Sequence, residues 1–434
     1  MLKFTLLLVL LWLPSLDMGI DNIDNFFALR HQFIMLTGVL GLGYMCLSAV
    51  LAARFSWIES KVKGLDKGYA LHKKLGIGAL FALFAHWLLS HSAMWLIEAE
   101  IIAMPNRKRP LIEGINWHAI AEQVGDISFK VFVIFCIISL VQAVSYKKFR
   151  FTHKIAGILI FAGVFHSVFL LDWNIQSAAM NISIAVMSII GIWCSWLSLT
   201  GKIGKKNKAT GQVVSVKQFA PQVKQNIAVR FVIELDCDIS YKEGQFAYLD
   251  FHDGESAHPF SILDYDAKTK RIEFAVKDLG DYTNRLVNSL KTDQKVTVEG
   301  GYGCFQMSEF EHQVWVGAGI GIVPFISRLY WLKRNAVKQQ HNFEKIDLFY
   351  CVNSEEEAFF VNEIVSILSS LDFIELHILD AQKGELLDSK QIIQKMGDKH
   401  FDVSFCGPAP FAEQLKTTLQ LPEDRFHREL FKMR

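Results

Sequence analysis

Apolar positions along the chain fall into two textures, long blocks up to about residue 200 and short alternating runs beyond it. Five blocks approach the roughly 20 residues that a helix needs to cross a hydrocarbon core: Phe33–Ala53, Ala70–Ile97, Ile127–Tyr146, Phe151–Leu171 and Ser177–Leu199. A sixth, Phe4–Leu16, is shorter, with Lys3 before it and Pro14 near its end. Those features suit a signal peptide, but no small-x-small cleavage site follows clearly, and the segment is read as a retained first helix. Beyond the basic stretch 201–210 come the runs Gln212–Lys217, Ala228–Leu235, Gln245–Phe251, Arg271–Val276 and Lys295–Glu299. They are rich in Val, Ile and Phe and separated by turn residues, which predicts an antiparallel barrel or sandwich. After residue 312 strands alternate with helices: strand Gln313–Val316, a Gly-rich turn, a helix to about Ala336, strand Ile346–Val352, a helix near Phe359–Leu371, strand Ile374–Leu379 and a final strand Val403–Cys406. That alternation predicts a doubly wound parallel sheet.

Composition sharpens the division. Over all 434 residues, 51% are hydrophobic, 21% are charged and the net charge is +1, which excludes a disordered chain and a strongly basic nucleic-acid binder. Residues 1–200 hold only 16 Lys and Arg with 11 Asp and Glu, against 29 and 33 in the remainder. The first half is too apolar for a soluble domain and the second is ordinary for one. The expected organisation is a helical membrane domain of about six helices over 1–200, a basic linker over 201–210, and two soluble domains over 211–308 and 309–434.

Basic residues give the membrane domain a direction. Arg54, Lys61, Lys63, Lys67, Lys73 and Lys74, then Lys147, Lys148, Arg150 and Lys154, then Lys202, Lys205, Lys206 and Lys208 fall on one face. The exception is Arg107, Lys108 and Arg109, in the long third loop on the other face. The soluble half is therefore expected in the cytoplasm. The seven cysteines (Cys46, Cys136, Cys194, Cys237, Cys304, Cys351 and Cys406) form no CxxC pair, so neither a disulfide framework nor a zinc site is indicated.

Histidine carries the first chemical signal. An ionisable side chain inside a membrane span is costly and usually functional. The third apolar segment has His72 and His86, fourteen apart, and the fifth region has His153 and His166, thirteen apart. Each spacing covers about 20 Å of helix, and both helices run the same way through the membrane. His72 and His153 then share the inner level, and His86 and His166 share the outer one. Two facing histidines at each of two depths is the ligand set of two stacked haems. Thirteen residues, however, leave a straight helix about 140° from its starting face. Either the fifth helix is distorted, near Gly157 or Gly163, or its two haems approach from different sides. His31 and His118 fall at the outer boundary, His91 could line the outer pocket, and Arg30 could meet a haem propionate or simply snorkel.

The soluble half adds Gly317-Ala318-Gly319-Ile320-Gly321 between a strand and a helix, where backbone can approach a pyrophosphate. Pro324 stands in place of a further glycine, and no acidic residue is clearly placed for a ribose, so this is not the ordinary dinucleotide fingerprint.

In this order the motifs resemble those of the ferric reductase and NADPH oxidase superfamily, especially its compact bacterial members, over about residues 26–434. The four histidines match the family's haem ligands. His258-Pro259-Phe260-Ser261 is similar to its flavin-binding HPxS/T signature, and Gly280-Asp281-Tyr282-Thr283 to the segment that cradles FAD phosphates. Gly317, Gly319, Gly321 and Pro324 fall in its nicotinamide-nucleotide loop, and Cys406-Gly407-Pro408 in the motif near the nicotinamide ring. Phe431, in Glu429-Leu430-Phe431, resembles the aromatic that stacks on the flavin. The resemblance implies an oxidoreductase of the inner (plasma) membrane that uses NADPH or NADH, FAD and two b-type haems. It would pass electrons to an acceptor outside the cytoplasm, dioxygen or a ferric chelate, without regulatory subunits. The catalytic candidates are Phe431, at the flavin, and Cys406, near the nicotinamide ring. Glu355, Glu356 and Glu357 stand where the family often carries a base for the 2′-phosphate, and would repel one. The reading from another class is a sensory or quinone-linked membrane cytochrome b.

Overall fold

The computed structural model describes residues 1–17, 26–62, 64–103, 114–140, 152–174, 177–219, 227–303, 305, 308, 310–335, 343–422 and 424–428. Phe431, Cys304, Arg107 to Arg109, Lys147, Lys148 and Arg150 lie outside them. The chain divides into two compact units: Met1–Glu59 with Lys67–Ile203, and Gly204–Arg434 with Ser60–Asp66.

The first unit is helical: α1 (Leu2–Trp12), α2 (Phe26–Ala52), α3 (Leu65–Glu98), α4 (Trp117–Leu140), α5 (Ile155–Leu170) and α6 (Ala178–Leu199), with short helices at Pro14–Asp17 and Ser56–Val62. By length and composition α2, α3, α4 and α6 can each cross a membrane, while α1 and α5 are apolar but shorter. Packing is close along one seam, where Val39, Leu42, Cys46, Ile160, Val164, Met180 and Ile184 from α2, α5 and α6 form a core. Trp12 of α1 joins it. α3 behaves differently: only 6% of its most apolar window is buried, against 44% for α2. At 34 residues it is about 51 Å long, well beyond the hydrocarbon thickness. It begins at Leu65, so Lys67, Lys73 and Lys74 lie in its first turns and not in a preceding loop.

The second unit holds two layers of different logic. β1 (Lys208–Phe219), β2 (Ala228–Leu235), β3 (Phe246–Asp250), β4 (His258–Asp266), β5 (Arg271–Lys277) and β6 (Lys295–Tyr302) close into a barrel of order β1-β2-β5-β4-β3-β6. Its alternate side chains (Val213, Phe231, Ile233, Leu249, Ile262, Ile272, Phe274, Val298) fill the interior, and Leu286 and Val287 of α7 (Asp281–Ser289) complete that core. The barrel form of the barrel-or-sandwich expectation holds. β1 begins at Lys208, inside the stretch that reads as linker from sequence.

The remainder is a five-stranded parallel sheet of β7 (His312–Ala318), β8 (Lys345–Val352), β9 (Ile374–Asp380), β10 (Asp402–Cys406) and β11 (Phe426–Arg428), in the order β11-β10-β7-β8-β9. Alternation along each strand sends side chains to two cores. Trp315, Leu348 and Tyr350 pack with α8 (Val323–Asn335) and α9 (Val361–Leu368). Val314, Val316, Phe349, Val403 and Phe405 pack with α10 (Ser389–Met396) and α11 (Ala409–Leu419). Helices therefore cover both faces, as in a doubly wound fold.

Two strands escape the sequence pattern. β11 follows Val403–Cys406, so that strand is not the last; with only three residues, β11 is too short to show a period. β4 carries Pro259, which argues against a central strand. The structure resolves this: His258–Ser261 pair with β3 alone, and pairing with β5 starts at Ile262. Pro259 costs no ladder bond on its open side.

Candidate functional site

In the membrane unit the four histidines meet in two pairs. The rings of His72 and His153 lie 5.8 Å apart between centroids, and those of His86 and His166 lie 6.0 Å apart. A metal between two imidazole nitrogens at about 2 Å from each, with ring centres just over an ångström further back, gives a separation of roughly 6 Å. Both pairs are spaced to hold one. Backbone carbonyls orient the rings: Nδ1 of His72 bonds the Ser48 carbonyl at 3.0 Å, Nδ1 of His86 that of Ile34 at 2.9 Å, and Nδ1 of His166 that of Ala121 at 2.9 Å. With Nδ1–H donating to the carbonyl, Nε2 keeps its lone pair for a metal. The ring of His153 packs on Phe135, 5.0 Å between centroids.

Thr152 and His153 are helical, Lys154 is a turn that keeps right-handed dihedrals (φ −61°, ψ −26°), and α5 begins at Ile155. Gly157 and Gly163 sit inside the continuous part of α5.

Glycines of other helices matter instead, and the sequence reading missed them. A Cβ on Gly125 would stand 2.2 Å from Nδ1 of His166, and one on Gly38 would stand 3.1 Å from Cε1 of His86. Each outer histidine thus lies against a helix surface where a side chain is absent. Around this pair opens a cavity of about 640 Å³, within the range of a cofactor pocket. Its walls include Met35, Leu83, Trp87 and Phe129, with His31, His91, His118, Glu122 and Asp126 among the polar members. His91 and Arg30 both reach it, but both are engaged with backbone: His91 Nδ1 with the Trp87 carbonyl at 2.9 Å, and Arg30 with the carbonyls of Leu89 and Ser90 at 2.7 and 2.6 Å.

In the second unit His258 opens β4 and stacks on Tyr282 at the start of α7, with ring centroids 3.6 Å apart and planes at 14°. Burial holds the His258 imidazole below its ordinary pKa, against the opposite pull of Glu255 and Asp253. Pro259, Phe260 and Ser261 continue along the half-open stretch of β4. The turn leading to α7 is folded by Thr283, whose hydroxyl accepts from the Leu279 N–H at 2.9 Å and donates to the Gly280 carbonyl at 3.0 Å. A hollow open to solvent lies beside it, bordered by Asp278, Gly280, Asp281, Asn284 and Arg285. Unpaired strand edge, helix start and hollow together could hold a flavin dinucleotide.

The glycine-rich turn and Cys406-Gly407-Pro408 come together at the carboxyl ends of β7 and β10, the point where strand order reverses. Contact there is close. A Cβ on Gly321 would lie 2.2 Å from the Cys406 carbonyl oxygen, one on Gly407 2.7 Å from Cβ of Ala318, and one on Gly317 2.8 Å from Cα of Ile322. Gly319 takes φ +56°, the left-handed region that favours glycine. Pro324 sits in the first turn of α8, where its missing N–H is harmless, and Pro408 caps α11. Such a crevice is where nucleotides bind in doubly wound sheets. Between barrel and sheet, buried Lys277 and Glu357 form an ion pair of 2.6 Å. Arg230 holds Glu273 with two bonds and also reaches Glu363. No sequence motif marks these braces.

Comparison with known proteins agrees with both units. Residues 37–164 match the family described as "Ferric reductase like transmembrane component", and residues 217–316 match an "FAD-binding domain". Human NADPH oxidase 5 is 21% identical over 405 residues, covering 77% of this chain and 49% of that protein. The electron transfer component of anthranilate 1,2-dioxygenase from Acinetobacter baylyi is 22% identical over 191 residues, 42% of this chain and 54% of that protein. A solved structure of ferredoxin-NADP+ reductase from Plasmodium falciparum superposes with a TM-score of 0.44 at 17% identity, over 52% of this chain and 96% of the other. The chain thus spans about half the length of the first two relatives. A ferric-reductase membrane component followed on one chain by an FAD-binding domain, with the long alignment to NADPH oxidase 5, supports the ferric reductase/NADPH oxidase superfamily for this protein.

Proposed function

We propose that the chain is a membrane flavocytochrome b that carries electrons from a cytosolic nicotinamide nucleotide, across the bilayer, to dioxygen. When bound, FAD would convert a two-electron hydride into single electrons and two b-type haems would carry those electrons singly. The observation that carries this reading is the pairing of four histidines at two depths of the same two helical segments, each pair about 6 Å apart. His72 with His153 would hold the inner haem and His86 with His166 the outer one. The three Nδ1 bonds to carbonyls support this, since they would leave Nε2 of His72, His86 and His166 for the metal. His72 and His86 stand about 21 Å apart along α3, so two haems would share the thickness of the bilayer.

In the soluble unit, His258, Pro259, Phe260 and Ser261 would seat the flavin along β4, and Gly280, Asp281, Tyr282 and Thr283 would receive its phosphates. Gly317, Gly319, Gly321 and Pro324 would receive the nucleotide pyrophosphate, while Cys406, Gly407 and Pro408 border the nicotinamide. Phe431 would cover the flavin. The excess of Lys and Arg on one side of the spans supports a cytoplasmic soluble unit in an inner or plasma membrane. Dioxygen as acceptor is supported by the largely apolar lining of the outer cavity, which a small neutral oxidant enters at little desolvation cost.

The test is stoichiometry and ligation. Purified in detergent with haem supplied, the protein should hold two haems per chain with the low-spin spectrum of two histidine ligands, and His86→Leu or His166→Leu should leave one. A wild-type stoichiometry of one or none would refute the reading. Superoxide assayed with and without ferric citrate then separates dioxygen from a ferric chelate as acceptor.

A further inference from the structure

The rim beyond β8 faces the crevice from the side opposite β10, and its charges are unevenly distributed. β8 ends at Val352 and is followed by Asn353, Ser354 and the 3-10 turn Glu355–Glu357. The neighbouring turn, Ala381–Lys383 after β9, is tied to it: the Gln382 N–H donates to the Asn353 carbonyl at 3.1 Å, and the Glu355 N–H donates to Asp380 at 2.9 Å. Glu355 itself is 72% exposed and pairs with Lys383 at 2.5 Å. Glu357 is buried and matched by Lys277. What remains at the rim among the described residues is Glu355, Glu356, Asp380 and Glu385 against the single ammonium of Lys383.

In doubly wound nucleotide-binding sheets an acidic side chain beyond the glycine turn holds the ribose diol of NAD, whereas an arginine accommodates the 2′-phosphate of NADP. We infer that this rim selects NADH over NADPH, with Glu355 as the specificity-determining residue and Lys383 as the counter-charge that keeps it extended. The inference rests on the donor reading above and narrows it. The ribose 2′-hydroxyl donates to a carboxylate, and a 2′-phosphate dianion in the same place meets four carboxylates against one ammonium, Lys383, which both Glu355 and Asp380 share. Lys383 could relieve that repulsion only by leaving Glu355.

The experiment is calorimetric titration of the full chain, loaded with FAD in detergent, using adenosine diphosphoribose and its 2′-phosphate. Adenosine diphosphoribose should bind about tenfold or more tightly than the phosphorylated probe. Glu355→Gln should narrow the gap by tightening the phosphorylated probe, and Lys383→Met should widen it. Both side chains are exposed, so neither change threatens the fold. Anaerobic flavin reduction should repeat the order in KM with kcat little changed. Equal or tighter binding of the phosphorylated probe to the wild type, or a gap unmoved by Glu355→Gln, would overturn the inference. If the gap appears and moves while neither NADH nor NADPH reduces the flavin, the rim's selectivity stands and the electron-donor reading falls.

Discussion

The two units build their sites by opposite means. In the membrane unit the proposed haem site consists of side chains, and the fold contributes spacing: glycines clear the ground around His86 and His166, and carbonyls turn the rings. In the soluble unit the backbone forms the site, and the glycines of two turns are pressed together until no Cβ fits between them. A cofactor gripped at one atom needs a few costly side chains in lipid. A dinucleotide, gripped along its length, needs bare backbone at a strand-order reversal.

That contrast can be broken at its most crowded points. Gly125→Ala puts a methyl where the His166 ring now lies. In a helix the change alone favours folding by up to about 1 kcal/mol, so loss of the outer haem in a well-folded protein, read by haem per chain, is the expected and largest effect. Gly38→Ala, with 3.1 Å of room, should weaken haem retention far less. If the two variants behave alike, crowding is not what the glycines relieve.

Gly321→Ala is the soluble counterpart. With 2.2 Å to the Cys406 carbonyl, the two turns must separate, and KM for the nucleotide should rise about tenfold or more. Flavin and haem content should stay unchanged; a loss of flavin as well would mean that the turn supports the barrel too.

The smallest effect is a pH dependence. Burial keeps His258 below its ordinary pKa, so it is neutral at pH 7 in the flavin-free barrel. A phosphate beside it would raise that pKa, and binding would then take up a proton as pH falls between the two values. FAD should bind more tightly at pH 6 than at pH 8, measured by flavin fluorescence, and His258→Gln should flatten the profile. Tighter binding at high pH would place the phosphates elsewhere.

Most of the architecture was legible because each element announces itself by period: five long apolar blocks, alternating strands, then strand and helix in turn. β4 was hidden by Pro259, which is tolerated only because its neighbour on one side starts three residues later, at Ile262. The histidines were legible because lipid makes them conspicuous. Their partners were not, since Ser48, Ile34 and Ala121 contribute carbonyls that every residue carries. The turn at Lys154 carries no sequence signal, whereas the two glycines where a distortion was expected lie inside the continuous helix. Glu355 looked only repulsive in the sequence, and its pairing with Lys383 depends on β8 and β9 ending side by side.

The central claim is that electrons enter at the soluble unit and reach the outer histidine pair. Purified protein carrying FAD and haem should be mixed anaerobically with NADH and its haem absorption followed. The account predicts reduction of both haems in the wild type. In His166→Leu, flavin and the inner haem should be reduced, with superoxide production lost on admitting air. Haem bands that stay oxidised while the flavin is fully reduced would contradict it.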